Sequence, residues 1–197
     1  MKKVFERVKD IFLKPRETWE NISTEDSTIP ELYRNYFILV AAVPVVASFI
    51  GRSLVGIYVP YSFRVVRLSF FGSLTVLICE YIFFLGSAWA LGKAISFLAP
   101  RFDSESDDVK GVQIAMYTLT PFLAAGVLNL IPSLATLVIL IGLYGLYLLY
   151  VGLPIVMVTP KEKAKNYAIV SILAALILAV LLWIIDRTLL SLIGPNI

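Results

Sequence analysis

Residues 167–193 read YAIVSILAALILAVLLWIIDRTLLSLI, with no charged side chain before Asp186. The run exceeds the ~20 residues an α-helix needs to cross a ~30 Å hydrocarbon core, so it predicts a membrane-spanning helix. Working outward, four further apolar runs of similar kind occupy residues 36–59, 68–98, 112–131 and 134–158. The third and fourth are separated only by Pro132 and Ser133, which predicts a tight helical hairpin. The second is too long for one perpendicular crossing and must tilt, extend beyond the bilayer or bend near Gly86.

Composition agrees. The chain is 59% hydrophobic and 16% charged, with a mean hydropathy of +0.85, against roughly 45–50% apolar and about 25% charged in soluble domains. The expected fold is therefore all-α, a polytopic transmembrane bundle of five spanning helices preceded by an N-terminal amphipathic interfacial helix. Residues 1–27 form the cytoplasmic N-terminal segment and residues 28–197 the transmembrane domain.

The 197 residues contain one cysteine, Cys79, and no histidine. That removes intrachain disulfides, Cys-rich metal sites, the usual zinc ligands and the histidine-dependent triads of acyl transfer. An enzyme is not expected, and neither are a catalytic residue, a cofactor, a bound metal or a nucleic-acid partner.

Lysine and arginine collect on cytoplasmic flanks. With the N-terminus inside, Lys2, Lys3, Arg7, Lys9, Lys14, Arg16, Arg34, Lys93, Arg101, Lys110, Lys161, Lys163 and Lys165 are cytoplasmic, and only Arg52, Arg64, Arg67 and Arg187 are outside. Thirteen against four sets the orientation, and five spans then place the C-terminus outside.

In the N-terminal segment Val4, Phe5, Val8, Ile11 and Phe12 recur at helical spacing opposite Lys2, Lys3, Glu6, Arg7, Lys9 and Asp10. Such a stripe suits a helix lying on anionic lipid or one packed on the bundle's end. The candidate membrane-surface contacts are Lys2, Lys3, Arg7, Lys9, Lys14, Arg16 and Trp19, the last as a headgroup anchor. Thr28, Ile29, Pro30 and Glu31 form a capping box that starts the first spanning helix. The acidic cluster of Asp103, Glu105, Asp107 and Asp108 lacks the alternation and glycine of a Ca²⁺ loop and is expected to be solvated.

Within the spans, Glu80 stands far from either end of its helix, where an ionised carboxylate is costly, so it should face protein, find a partner or carry a proton. Ser73, Glu80, Ser87 and Ala94 recur every seven residues and define one small, polar face. No second carboxylate is expected at that depth; Arg52, Arg64, Arg67, Asp186 and Arg187 are placed at the outer interface. Pro44, Pro121 and Pro154 free the carbonyls of Val40, Tyr117 and Tyr150. The candidate intramembrane polar site therefore comprises Glu80, Ser73, Ser87, Tyr117, Thr120, Pro121, Asn129, Tyr147, Tyr150 and Pro154, with Tyr144 nearby.

Four segments carry a family resemblance: IFLKPRETWENI near the N-terminus, YTLTP in the third span, NLIP at the hairpin, and YGLYLLYVGLPIVMVTPKEKA leading into the last helix. Together they resemble the Yip (Ypt-interacting protein) domain family of five-span membrane proteins, in its prokaryotic type. The resemblance implies a protein that acts through partners, with Pro15, Tyr117, Thr120, Pro121, Gly152 and Pro154 as family positions. In eukaryotic relatives it implies a link to small prenylated GTPases, and the short segment before the first span points instead to a bacterial or archaeal plasma membrane. The expected function is a non-enzymatic scaffold or adaptor that organises membrane proteins or lipids, with the bilayer, membrane proteins or a second copy of the chain as partners. The competing expectation is a small proton- or ion-coupled transporter or channel built around Glu80.

Overall fold

The computed structural model describes residues 2–59 and 64–193. Two short helices, α1 (Lys2–Leu13) and α2 (Pro15–Ser23), precede five long ones. These are α3 (Ile29–Val55), α4 (Phe70–Phe102), α5 (Asp108–Leu130), α6 (Pro132–Val156) and α7 (Lys161–Ile193). All five are long and apolar enough to cross a membrane. The only strands among the described residues, β1 (Ile57–Val59) and β2 (Arg64–Val66), form a short antiparallel ribbon between α3 and α4.

Local chemistry sets the helix ends. Glu31 accepts from the Thr28 N–H at 3.0 Å and the Thr28 hydroxyl at 2.8 Å, and Pro30 sits in the first turn, so α3 begins where the capping box predicts. It stops at Val55, short of residue 59, because Gly56 takes φ 93°, a left-handed conformation that favours glycine. α4 stays α-helical through Gly86, which has open space beside it. Asp107 caps α5, accepting from the Val109 and Lys110 N–H groups at 2.7 and 3.1 Å. The acidic loop is pinned by cations as well as solvated: Asp103 meets Lys163, Glu105 meets Lys110 and Asp108 meets Lys93.

α5 is the hub. It packs against α3, α4 and α6, and 72% of its apolar stretch is buried, against 11% for α7, which rests mainly on α4 and α6. Close approach requires glycine: a Cβ at Gly92 of α4 would strike the Val112 backbone of α5, and one at Gly111 would strike the Gly92 carbonyl. Small residues at such crossings let helix backbones touch where lipid gives no hydrophobic drive.

The helices outrun the bilayer at the end that carries α1 and α2. α4 spans 33 residues, about 50 Å at ~1.5 Å per residue, against a ~30 Å core. Gly92 facing Val112 and Gly145 facing Thr118 put Trp89 and the Tyr147–Tyr150 turn at similar heights, and all three rings are exposed. Exposed tryptophan and tyrosine mark a membrane–water belt. Beyond that belt the exposed residues include Arg101, Lys161, Glu162 and Lys165, so the last turns of the bundle stand in water.

Candidate functional site

Two polar centres emerge, one around the level of this belt and one deeper toward the ribbon. The first is where α1 and α2 cap the bundle. α1 turns Val4, Val8, Ile11 and Phe12 toward the core, and Ile11 is fully buried. Phe12 stacks on Tyr144 at 5.6 Å between centroids, and the Tyr144 hydroxyl donates to the Phe12 carbonyl at 3.1 Å. Pro15, in the first turn of α2, starts that helix directly after Lys14.

Trp19 then inserts into the bundle. It is 0% exposed, lies edge-on to Tyr117 at 6.0 Å and rests against Gly152, where any side chain would collide with the indole. The expectation of a headgroup anchor is corrected: tryptophan suits an interface only when its N–H end reaches water, and here the whole ring is enclosed. Tyr117 also packs on Tyr36 at 4.8 Å, and the Tyr36 and Thr120 hydroxyls share a 2.8 Å hydrogen bond. Thr120 bonds back to the Met116 carbonyl at 2.9 Å. Arg7 lies over the Tyr117 ring at 5.8 Å and pairs with Glu25, at the floor of a cleft of about 280 Å³.

So Tyr117 and Thr120 come together with Trp19, Gly152 and Pro121 buried close by. Of the predicted surface cations Lys3, Lys9, Lys14 and Arg16 are exposed, while Arg7 turns inward. The Lys2 side chain lies outside the described ones. Lys14 pairs with Glu17 and Arg16 with Glu20, so much of the basic surplus is compensated locally.

The second centre lies about nine residues, ~13 Å, beyond Trp89 toward the ribbon. The Arg52 guanidinium donates to Glu80 Oε1 at 2.7 Å and reaches Asp186 Oδ1 at 3.5 Å, joining α3, α4 and α7. Side-chain exposures of 16%, 11% and 31% show how far the three are withdrawn from the surface. One expectation is corrected here: Asp186 is a second carboxylate at the level of Glu80, and Arg52 bridges the two. The cause is the register of α7, which the Tyr167 bond to the Ile95 carbonyl sets six residues past Trp89, so that residue 186 comes opposite Glu80.

The remaining predicted residues are dispersed. Ser73 and Ser87 are buried on the α4 face that carries Glu80, and Ser87 bonds to the Phe84 carbonyl at 2.8 Å. Tyr147 and Tyr150 point outward. Asn129 and Pro154 are half-buried on separate helices. The ten residues therefore do not line one intramembrane site. Sequence reading missed the roles of Arg52, Asp186, Tyr36 and Glu25. Only Arg52 and Asp186 carried a signal, as charges inside apolar runs. Among the described residues no group of three or more metal-ligating side chains gathers.

Residues 9–184 match the Yip1 domain. The chain is also 28% identical over 125 residues to "Inner membrane protein YohC" of Escherichia coli strain K12, and equally to its counterpart in strain O6:H1, CFT073. Each match covers 62% of this chain and 62% of the relative. No solved structure matches. With five spanning helices and a match over most of its length, this integral membrane protein belongs to the Yip1 domain family.

Proposed function

We propose that the protein is a non-enzymatic scaffold or adaptor of a prokaryotic plasma membrane, with its N-terminus in the cytoplasm and its C-terminus outside. One observation carries this reading. Of the positions that the resemblance marks, Tyr117 and Gly152 seat Trp19 of the α1–α2 cap and Thr120 bonds Tyr36 beside them, so they support a displayed surface rather than a reaction centre. The face displayed by the cap includes Phe5 and Leu13, 73% and 68% exposed, with Lys9 one helical turn from each. An apolar pair around a cation suits membrane proteins or anionic lipid at the belt. The name of the E. coli relative supports the choice of membrane.

Photo-crosslinking in native membranes tests it, with the reactive residue at Phe5 or Leu13 and a lipid-facing control at Leu176. Discrete adducts at the first two positions are expected. A product pattern identical to that at Leu176 would overturn the reading.

A second reading, a small proton- or ion-coupled transporter or channel, is favoured by the charge cluster deep in the apolar slab. It requires ion flux in liposomes that Glu80→Gln abolishes, and flux absent from the folded parent sinks it.

A further inference from the structure

We propose that the Arg52–Glu80–Asp186 cluster is a proton-binding site that holds one proton, and that this proton allows the ribbon-end half of α7 to dock on α3 and α4. A guanidinium keeps its charge under all physiological conditions. It offers one positive charge to two carboxylates that both lie against it. With both acids ionised the cluster carries a net negative charge within the apolar slab, where uncompensated charge is strongly disfavoured. Two carboxyls converging on one cation satisfy that balance by keeping one proton between them, as the pair and not as either residue alone.

The other charged and titratable groups nearby leave the count unchanged. Arg187 lies over the Trp183 ring of its own helix at 5.7 Å. The Tyr81 hydroxyl donates to the Ile38 carbonyl at 3.0 Å. Arg67 is exposed at the foot of the ribbon. Cys79 is beside Glu80 in sequence and half-buried.

The position gives the proton its consequence. At its other end α7 is held by Tyr167, whose hydroxyl donates to the Ile95 carbonyl at 2.6 Å, and by Lys163 paired with Asp103. In its ribbon-end half the contact of Asp186 with this cluster is the one polar tie to another helix among the described residues. Loss of the proton places an unbalanced carboxylate in that joint. The docked state binds more protons than the released state, so docking weakens as pH rises.

Infrared difference spectroscopy on the full chain in lipid nanodiscs reads the site directly. At neutral pH the parent should show a protonated-carboxyl C=O band that shifts in heavy water. Glu80→Gln and Asp186→Asn should each remove it, because one carboxylate then balances one guanidinium. Arg52→Gln should enlarge it about twofold, since both acids must then be neutral. As a check that does not depend on a single variant folding well, the parent's melting temperature should fall from mildly acid to mildly alkaline buffer. Either amide variant should flatten that slope. A parent without the band, a band that survives both amide substitutions, or equal pH slopes in all three proteins overturns the proposal.

Discussion

Gly152→Ala should unseat the N-terminal cap. The added methyl would meet the Cε2, Cδ2 and Cζ2 atoms of Trp19, which belong to a rigid ring and not to the end of a flexible chain. The indole is fully enclosed and has Tyr117 at its edge, so it cannot slide aside without disturbing a second aromatic. Overpacking of this kind costs about 1–3 kcal/mol, roughly a 5- to 150-fold shift toward the undocked cap. Alanine is a better helix former than glycine by about 1 kcal/mol, which acts in the opposite direction. Gly86→Ala supplies that term alone, because nothing lies near its missing Cβ. The chain has three tryptophans, and Trp89→Phe with Trp183→Phe leaves Trp19 as sole reporter. Emission should move to longer wavelength and iodide quenching should rise in Gly152→Ala but not in Gly86→Ala. Trp19→Leu in the Gly152→Ala background should recover part of the lost thermal stability, giving a positive coupling in the double-mutant cycle. Unchanged emission, quenching and melting in Gly152→Ala would falsify the interlock.

Gly92→Ala or Gly111→Ala should be far more damaging, at about 3 kcal/mol or above, because each methyl meets backbone that cannot yield; loss of a monodisperse peak in detergent reads it. Thr120→Val should lower stability by about 1–3 kcal/mol by stranding the buried Tyr36 hydroxyl, whereas Tyr36→Phe leaves Thr120 bonded to Met116 and should cost closer to about 1 kcal/mol in thermal melts. Asp107→Ala should cost about 1 kcal/mol through loss of the α5 cap, visible as faster amide exchange at Val109 and Lys110.

The spans were legible because lipid demands long apolar runs, and the runs are there. Their limits were less so. α7 starts at Lys161, not 167, because KEKAK continues as helix in water, and hydropathy marks the slab rather than the helix. Trp19 in a basic, amphipathic segment reads equally as a headgroup anchor or as core, and what decides between them is Gly152, more than a hundred residues away. The Glu80 cluster was half visible. The carboxylate declared itself by its depth, but its partners did not. Arg52 reaches it from the π-helical turn Gly51–Val55 that ends α3, and Asp186 from a helix whose register is fixed outside the membrane. The ten polar candidates failed to converge because a helix sends tyrosines such as Tyr147 and Tyr150 outward to the interface as readily as inward.

The seat of Trp19 also orders biogenesis. Its binding surface includes Tyr117 and Gly152, which leave the ribosome about 100 and about 130 residues after it, on the order of ten seconds at roughly 5–20 residues per second. Throughout that interval the cap has no native place to go and must wait at the membrane surface or with a chaperone. Closure of the cap is therefore a late event in assembly, and it reports that the fourth span has been threaded.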